Sequence, residues 1–351
     1  MSDVVIFAPS PVLTVTVEEH PGGPDIHVHA GGQGVWQARM LMRLGASVTM
    51  CSVLTGETGE MVRHLLEQDG VAVAGPMREG RGAAYLHDRR SGQREVVAEA
   101  DGDPLGRHDL DELFSTTLRE GAASGLVILS GPQGDTALDP DTYRRLAADL
   151  GQAGARVVVD LAGERLTAAL TGGVTVLKVS HDELHADGLL DEETVPALMR
   201  TMRHLRAHGA ETVIVTRSSD PLLLLDADGF LEITPPRLEV ADTRGAGDSL
   251  TAGIAAGLAR GESPREAVTM AAAAGALNVT RHGLGTGDPD AIARLRDEVT
   301  VRVLDDETDT DMPQPDTGRV SPDGLAALAQ PDDGDESPPA GASPRGEEGD
   351  R

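Results

Sequence analysis

Residues 242–250 read D-T-R-G-A-G-D-S-L, and the rest of the chain is interpreted outward from this stretch. The glycines in Gly245-Ala246-Gly247 let the backbone turn tightly and approach a bound group closely. The residues from Ser249 to Arg260 are mostly compatible with a helix, and Gly261 provides a C-terminal stop. The glycines should therefore lie at a helix N-terminus, where free N–H groups and the helix dipole attract anions.

Asp248 follows these glycines directly and places a carboxylate in the first turn of the predicted helix. Phosphoryl transfer to an alcohol needs both features, because N–H donors stabilise the developing charge and a carboxylate accepts the hydroxyl proton. The alternative interpretation of the same residues is a glycine-rich turn with an aspartate near a helix start.

The length and charge of the chain restrict its class. At 351 residues it can bury the core of one large α/β domain. Its formal net charge is −28, and residues 305–351 contribute −11 through 14 acidic residues and 3 arginines. An acidic surface argues against nucleic acid and anionic membranes as partners. With Cys51 as its one cysteine, the chain forms no internal disulfide, which is typical of a reducing cytosol.

The apolar runs predict no targeting or membrane segment. Met1-Ser2-Asp3 is not basic and the apolar run Val4–Ala8 is short, so no signal peptide is indicated. No apolar stretch reaches the roughly 18 residues that span a bilayer. We therefore expect a cytoplasmic protein.

Short apolar runs alternate with helical segments along most of the chain. Val4–Ala8 is predicted as a buried strand, and the alternating segments Val12–Val17 and Ile26–His29 as half-buried strands. Repeated strand–helix units predict an α/β domain with a mostly parallel central sheet and helices on both faces. Further strands are predicted at Ser47–Val53, Gly82–His87, Glu95–Ala98, Leu126–Leu129, Arg156–Asp160, Val174–Val179, Thr212–Thr216, Leu222–Leu225 and Phe230–Ile233, and helices at Glu57–Asp69, Gly163–Leu170 and Glu192–His208.

Helix starts and the C-terminal end have local signals of their own. Asp139-Pro140 is predicted to cap a helix that runs to about Gln152, and Ser263-Pro264-Arg265-Glu266 has the pattern of a capping box. Beyond about Leu304 the sequence is rich in Asp, Glu, Pro, Gly and Ser. Such a segment buries too little apolar surface to offset its ordering entropy, so a disordered acidic tail at 304–351 is predicted to follow a domain at 1–303.

The glycine stretch resembles the D-T-x-G-A-G-D signature of the ribokinase, or PfkB, family of carbohydrate kinases, with every fixed position present. The resemblance is closest to the 1-phosphofructokinase-like branch and runs from about residue 4 to 300 in the family's order. It implies a ribokinase-like three-layer α/β sandwich with a small β lid from residues 12–29 and 82–98. In relatives such lids close over the sugar and often form the dimer contact, so the resemblance implies a homodimer through the lid.

Two segments near the N-terminus resemble the family's sugar-binding motifs. Gly31–Ala38 is similar to G-G-K-G-x-N-x-A, but the lysine is Gln33 and the sugar-binding asparagine is Trp36. Ala8–Thr14 resembles the N-P-A-x-D segment, whose sugar-binding aspartate falls on Val12 or Thr14. The resemblance implies an altered substrate pocket, which it assigns to Gly31, Gly32, Gln33, Trp36 and Thr14.

Lys178–Leu184 resembles the family's K-P-N-x-x-E-L segment, whose asparagine and glutamate organise magnesium and phosphate. Val179 and Ser180 replace the proline and the asparagine, whereas Glu183 is retained. A carboxylate beside a neutral oxygen still suits a hard cation that is held largely through waters. Glu183 is therefore the predicted metal residue, with a solvated helix start as the alternative.

Val215–Pro221 occupies the place of the family's V-T-x-G-x-x-G nucleotide loop, and Ser218 and Pro221 replace both glycines. The chain contains no G-x-x-x-x-G-K-[ST] pattern, which argues against a P-loop NTPase. The resemblance implies ATP and Mg²⁺ as cofactors. It assigns nucleotide contacts to Thr216, Arg244, Thr243, Lys178 and Asn278.

Histidines and arginines offer further binding candidates. His27 and His29 share a face of an alternating segment. A metal site with His181 and His185 lacks carboxylates or cysteines at matching spacing, so surface or pocket-lining histidines are favoured. Five arginines near the predicted hairpin could clamp a substrate phosphate: Arg78, Arg81, Arg89, Arg90 and Arg94. For most of them, a place on a solvated hairpin is favoured.

These observations predict an ATP- and magnesium-dependent phosphotransferase that acts on a hydroxyl of a sugar or sugar phosphate. In this interpretation Asp248 is the general base, the N–H groups of Gly245–Gly247 hold the migrating phosphoryl charge, and Glu183 orients magnesium. The alternative is a weak or inactive family member that binds a small ligand as a sensor or scaffold. It is motivated by the departures from the family pattern at Trp36, Ser180, Ser218 and Pro221.

Overall fold

The structure is a computed structural model that describes residues 3–131, 138–280 and 285–305. Its strands are β1 Val4–Phe7, β2 Val12–Glu18, β3 Asp25–Gly31, β4 Val48–Cys51, β5 Leu54–Thr55, β6 Ala72–Ala74, β7 Met77–Arg78, β8 Ala84–Asp88, β9 Glu95–Ala100, β10 Leu126–Ser130, β11 Arg156–Asp160, β12 Val174–Ser180, β13 Ala210–Arg217, β14 Asp220–Asp226, β15 Gly229–Thr234 and β16 Thr300–Leu304. Its helices are α1 Gln33–Arg43, α2 Gly56–Gln68, α3 Arg107–Ser124, α4 Pro140–Gln152, α5 Gly163–Gly172, α6 His181–Ala186, α7 Val195–Ala207, α8 Ala246–Ala259, α9 Pro264–Asn278 and α10 Pro289–Glu298.

A ten-stranded central sheet has the order β16-β15-β14-β13-β12-β11-β10-β1-β4-β6. The seven strands from β13 to β6 pair in parallel, and β14, β15 and β16 extend one edge in antiparallel pairing. The predicted α/β class with a mostly parallel sheet is thereby confirmed.

Each face of the central sheet buries its own apolar core, because neighbouring residues of a strand point to opposite faces. In β10, Ile128 belongs to the core that contains buried residues of α1, α8 and α9. Its neighbour Leu129 belongs to the second core, which contains buried residues of α4, α5 and α7. The protein therefore has three layers, with helices on both faces of the sheet.

A separate four-stranded sheet has the order β3-β2-β8-β9. Strands β2 and β8 pair in parallel at its centre, and β3 and β9 flank them in antiparallel pairing. Its four strands come from the two segments assigned to the lid, although β3 and β9 extend two residues further, to Gly31 and Ala100. We call this the small sheet.

Two predicted helix starts have the expected caps. The Asp139 side chain accepts a hydrogen bond from the N–H of Asp141, and Pro140 begins α4. In α9, Glu266 Oε2 accepts from the backbone N–H of Ser263 at 2.7 Å, and the Ser263 hydroxyl accepts from the N–H of Glu266 at 3.4 Å. The capping box is therefore confirmed.

Several elements had no clear sequence signal. The buried residues of α3 include Thr116, Thr117 and Gly121, and its hydrophobic residues Leu110, Phe114 and Leu118 are only partly buried against the core. The segment predicted as one strand at Ser47–Val53 is shorter, because β4 ends at Cys51. The sequence also gave no prediction for β6, β7, α10 and β16, and it offered α6 only as an alternative for the segment of Glu183.

The described chain ends just after β16, whose last residue, Leu304, is also the first residue of the predicted tail. Residues 306–351, and with them most of that tail, lie outside the described residues. Within the described ranges, none of the helices combines the length and the apolar character needed to cross a membrane.

Candidate active site

Helix α8 begins inside the glycine stretch. Gly245 is its N-cap residue and has a φ of 73°, a left-handed conformation that favours glycine. The N–H of Ser249 donates to the Gly245 carbonyl at 2.9 Å. No carbonyl among the described residues accepts from the N–H of Ala246 or Gly247. The first turn of α8 therefore presents the unpartnered donors that favour an anion.

Asp248 lies in this first turn and is 9% exposed. Its carboxyl group is buried, and the nearby charge of Asp160 adds repulsion, so the pKa of Asp248 is raised to about 8 even though Lys178 and a hydrogen bond from Gln37 oppose the shift. Glu183 adds a smaller effect in the same direction as Asp160. A carboxyl group with such a pKa can exchange a proton near neutral pH.

Asp160 and Lys178 form a buried ion pair beneath Asp248. They are register partners on the neighbouring parallel strands β11 and β12, and Lys178 Nζ lies 3.0 Å from Asp160 Oδ1. Burial alone would lower the pKa of Lys178, but the charges of Asp160, Glu183 and Asp248 raise it above its usual value. The Thr251 hydroxyl donates to Asp160 Oδ2 at 2.8 Å. Lys178 is therefore a fixed positive charge among these carboxylates.

Gln37 joins the two aspartates, and the sequence gave no indication of this role. Its Nε2 donates to Asp160 Oδ2 at 3.2 Å and to Asp248 Oδ1 at 3.4 Å. Its Oε1 accepts from the Ser130 hydroxyl at 2.5 Å. One sequence signal could have found it, because Gln37 is a polar residue on the otherwise apolar buried face of α1.

Gly247 brings the start of α8 against Lys178. A Cβ at this position would lie 2.6 Å from Lys178 Nζ, closer than real Cβ contacts. The glycine therefore lets the helix N-terminus approach the buried ammonium group. The two positive features, the helix dipole and the lysine, lie side by side at this point.

Three of the residues predicted to bind substrate line one pocket. They are Gly31, Gly32 and Gln33, and the pocket is completed by Ala8, Ser10, Pro11, Gly34, Val35 and Gly131. Gln33 connects the pocket to the charged network, since its Nε2 donates to the Asp160 carbonyl at 3.2 Å and its Oε1 accepts from the N–H of Gly131 at 2.9 Å.

Thr14 and Trp36, also predicted to bind substrate, are not among the lining residues of this pocket. Thr14 is buried in β2, where its hydroxyl packs against the Cα of Gly31. Trp36 of α1 packs against the core that contains buried residues of α1, α8 and α9. Its buried Nε1 has no hydrogen-bond partner among the described residues. Its backbone carbonyl contacts Gly285.

The predicted nucleotide residues lie along the same edge of the sheet as α8. Thr216 pairs with Ser180 at the ends of β13 and β12, and Thr243 is exposed beside the glycine stretch. Asn278 donates to the Arg244 carbonyl at 2.7 Å and accepts from the N–H of Gly285 at 3.1 Å. Its amide therefore fastens the glycine stretch to the segment after α9.

Glu183 belongs to a capping box at the start of α6. Its Oε2 accepts from the N–H and the hydroxyl of Ser180, at 2.8 and 2.7 Å. In the described chain, one group of three side chains could share a metal ion: His181, Asp182 and Glu193, whose ligand atoms lie within 4.8 Å of one another. His27 and His29 lie on the small sheet, apart from the His181 group.

The hairpin arginines divide into two groups. Most have a carboxylate partner: Arg78 pairs with Asp109, Arg81 with Asp103, Arg90 with Asp88, and Arg89 with Glu18 and Asp242. Arg94 contacts both ring nitrogens of His87 and has no carboxylate partner among the described residues.

Arg94 also belongs to a cationic cluster with Arg89 and Arg244. Partial burial and the charges of Arg244 and Arg89 lower the pKa of Arg94. Burial together with the charges of Arg94, Arg244 and Arg89 lowers the pKa of His87. Hydrogen bonds from Arg244 hold the pKa of Asp242 well below its usual range. Asp242 of the glycine stretch also accepts a hydrogen bond at 3.1 Å from Arg89, which follows β8. This bond links the small sheet to the glycine stretch.

The family described as pfkB family carbohydrate kinase matches residues 3–291 of the chain. The chain belongs to the pfkB family of carbohydrate kinases. Over 284 residues it is 31% identical to a 1-phosphofructokinase of Haloferax volcanii, and the match covers 78% of this chain and 87% of the relative. A 1-phosphofructokinase of Vibrio cholerae is 26% identical over 281 residues, which cover 79% and 87% of the two chains.

Solved structures agree with this assignment. The phosphofructokinase-2 of Escherichia coli in complex with potassium superposes with a TM-score of 0.74 at 25% identity, covering 85% of this chain and 99% of that chain. The ribokinase of Arabidopsis thaliana complexed with ribose and ATP gives a TM-score of 0.65 at 20% identity, covering 84% and 99%, and shows the shared fold. The pfkB family member described here is a sugar kinase with a ribokinase-like fold, similar to 1-phosphofructokinases.

Proposed function

We propose that the protein transfers the γ-phosphoryl group of ATP to a hydroxyl group of a phosphorylated sugar. The observation that carries this proposal is the position of Asp248 beside the unpartnered N–H groups of Ala246 and Gly247. Because no described carbonyl accepts from these two N–H groups, the arrangement provides a base for the acceptor and donors for the transferred group within one helical turn.

In the proposed reaction, the acceptor hydroxyl oxygen forms a bond to the γ-phosphorus as the bond from that phosphorus to the β–γ bridging oxygen breaks. The hydroxyl proton moves to the Asp248 carboxylate, and ADP leaves with the bridging oxygen. The first-turn N–H groups of α8 and the neighbouring Lys178 stabilise the negative charge on the phosphoryl oxygens.

Magnesium is the metal ion that this proposal includes. Glu183 fits it as an oxygen ligand, because its Oε1 has no hydrogen-bond partner among the described residues while its Oε2 is held by Ser180. When bound, Mg²⁺ neutralises charge on the nucleotide phosphates. The protein residues supply the base and the N–H donors.

The cationic cluster of Arg89, Arg94 and Arg244 supports a phosphorylated acceptor rather than a neutral sugar. Asp242 and Glu18 pair with Arg89, and Asp242 pairs with Arg244. Arg94 contacts His87 but has no carboxylate partner among the described residues, so its charge is available to a ligand anion. A guanidinium group binds phosphate oxygens through charge-assisted hydrogen bonds. The names of the related 1-phosphofructokinases are consistent with such a substrate.

Arg94→Met is expected to raise the KM for a phosphorylated acceptor by about 10- to 100-fold, because it removes a charged hydrogen bond to the acceptor. The KM for ATP should change little. Arg90→Met is the matched control, since Arg90 lies on the same hairpin but is paired with Asp88. Steady-state kinetics with both substrates provide the measurement, and equal effects of the two substitutions would contradict the assignment.

The overall proposal is tested by measuring ADP formation with a panel of sugars, nucleosides and their monophosphates. The expected result is turnover that depends on ATP and Mg²⁺ and is fastest with sugar monophosphates. A binding-only family member would show no turnover with any acceptor, and that result would leave the kinase proposal without support. Titration calorimetry with MgATP measures nucleotide binding separately from turnover.

The apolar face of the small sheet supports a homodimer. Val15 and Val17 of β2 pair with Val28 and Ile26 of β3, and the last two are 43% and 64% exposed. One related structure is a tetrameric form of Escherichia coli phosphofructokinase-2, so assembly occurs in the fold. We propose that a second copy of this chain covers this face.

Ile26→Lys is expected to convert the dimer into a monomer, because it introduces a charge into the proposed apolar interface. Sedimentation velocity at several concentrations measures the assembly state. Val303→Lys, which alters an exposed valine on β16, is the control and should leave the dimer intact. A wild-type protein that remains monomeric at all concentrations rules out this interface.

A further inference from the structure

Gln37 is the one described side chain that donates hydrogen bonds to both aspartates of the active site. Its side chain is fully buried, and its two donated hydrogen bonds reach Asp160 Oδ2 and Asp248 Oδ1. Of the two carboxylate oxygens of Asp248, Oδ2 receives no hydrogen bond from the described residues. Gln37 therefore restrains one oxygen of Asp248 and leaves the other for an acceptor hydroxyl.

The orientation of the Gln37 amide is fixed by Ser130. The Ser130 hydroxyl donates to Gln37 Oε1 at 2.5 Å, which directs the NH₂ group toward the carboxylates. The opposite orientation would place the amide oxygen against two negatively charged groups. The chain Ser130–Gln37–Asp248 thus connects strand β10, helix α1 and helix α8.

We propose that Gln37 is a positioning residue for catalysis, which favours the ionised form of the Asp248 carboxylate and holds it in the rotamer that faces the acceptor. This inference rests on the proposed function, in which Asp248 is the base. The charged groups around Asp248 are Asp160 on β11, Lys178 on β12 and Glu183 on α6. Gln37 is the neutral donor on the remaining side, from α1.

Loss of the Gln37 donor has an effect of known sign. A hydrogen bond to a carboxylate stabilises its ionised form, so its removal favours the protonated form. The fraction of Asp248 that can act as a base at neutral pH then falls. Because Gln37 lies behind Asp248 and not in the lining of the neighbouring pocket, substrate binding should be largely preserved.

The test substitutes Gln37→Met, which keeps the length of the side chain and removes both hydrogen-bonding groups. The acidic limb of kcat/KM is expected to shift upward by about one pH unit, and kcat at pH 7 to fall by about tenfold. The KM for MgATP should stay near the wild-type value. Ser130→Ala, which releases the amide without removing it, should shift the limb in the same direction by less.

Thr117→Val is the matched control, because Thr117 is also fully buried and its hydroxyl interacts with the Leu113 carbonyl and with Cys51 rather than with either aspartate. It should lower thermal stability without moving the pH limb. An unmoved limb in folded Gln37→Met overturns the proposal, and if that variant does not fold, an unmoved limb in Ser130→Ala does so.

A second readout separates this inference from the proposed function. Carbon NMR of carboxyl-labelled aspartate follows the titration of Asp248 in the unliganded protein, with Asp248→Asn identifying its signal. An upward shift in Gln37→Met supports the positioning role even for a protein with no turnover. If the wild-type enzyme is active and Asp248 titrates identically in the wild type and in Gln37→Met, the role of Gln37 is refuted but the proposed function is not.

Discussion

Asp248→Asn is expected to lower kcat by about 10²–10⁴-fold at neutral pH, because the amide cannot take the proton of the acceptor hydroxyl. The substitution keeps the size of the side chain and an oxygen that can accept from Gln37 Nε2. The first-turn N–H groups of α8 also stay in place, so the KM for MgATP should change little. Steady-state ADP formation measures both parameters.

The pH profile provides a second signature of the same residue. Burial and the charge of Asp160 raise the pKa of Asp248 to about 8, so the base is protonated below this pH. Wild-type kcat/KM, which reports the free enzyme, should therefore rise with pH through about 8.

The residual activity of Asp248→Asn should lack this rise. Asp297→Asn, on the exposed face of α10, is the control and should match the wild type. Wild-type kcat in Asp248→Asn would show that another group takes the proton.

The local structure of the glycine stretch was predicted correctly. The glycines and the helix after them form one local unit, so the start of α8 followed from residue types alone. The alternation of strands and helices likewise predicted the parallel sheet, because buried parallel strands are continuous apolar runs. The family resemblance, which the matched residues 3–291 confirm, also depended on this local signature.

Contacts between distant residues were not predicted. Gln37 and Asp248 are 211 positions apart, and the sequence offered only a polar residue on an apolar helix face. Asp160 ends β11 and Lys178 is its register partner near the end of β12, so their pairing could have been inferred once the strand order was known. The difference between Arg90 and Arg94 depends on which carboxylates fold nearby, and no local pattern encodes it.

Val215–Pro221, in the place of the family's nucleotide loop, shows that a changed residue type need not mean a changed backbone. Ser218 stands where the family pattern has a glycine, and it adopts a φ of 49°, in the left-handed region. The short turn between β13 and β14 imposes this conformation, because residues 218 and 219 connect two paired strands. A substitution at a glycine position therefore does not by itself report a changed loop.

Lys178→Met is expected to lower the free energy of unfolding by about 3–5 kcal/mol at neutral pH, because it leaves a buried carboxylate without its partner. The ion pair with Asp160 is at 3.0 Å and the two side chains are 8% and 2% exposed. Arg302→Met is the matched control: its ion pair with Glu232 has a similar distance of 2.9 Å but the arginine is 53% exposed. This surface pair should contribute about 1 kcal/mol or less.

The loss in Lys178→Met should also depend on pH. The pKa of Asp248 is already raised in the folded state, and a group of this kind stabilises the fold at low pH and loses that contribution as pH rises through its folded pKa. Without the lysine charge the pKa of Asp248 rises further. Urea unfolding should therefore show a larger loss at pH 8 than at pH 5, whereas the loss in Arg302→Met should be nearly constant.

A second substitution decides whether the unpaired charge causes this loss. Lys178→Met combined with Asp160→Asn removes the buried charge as well as its partner, so the double variant should be more stable than Lys178→Met alone. If the double variant is no more stable, the lysine stabilises the fold through packing of its aliphatic chain. Its charge would then act on the transferred phosphoryl group without contributing to the fold, and the active site would have to stabilise two buried aspartates by hydrogen bonds alone.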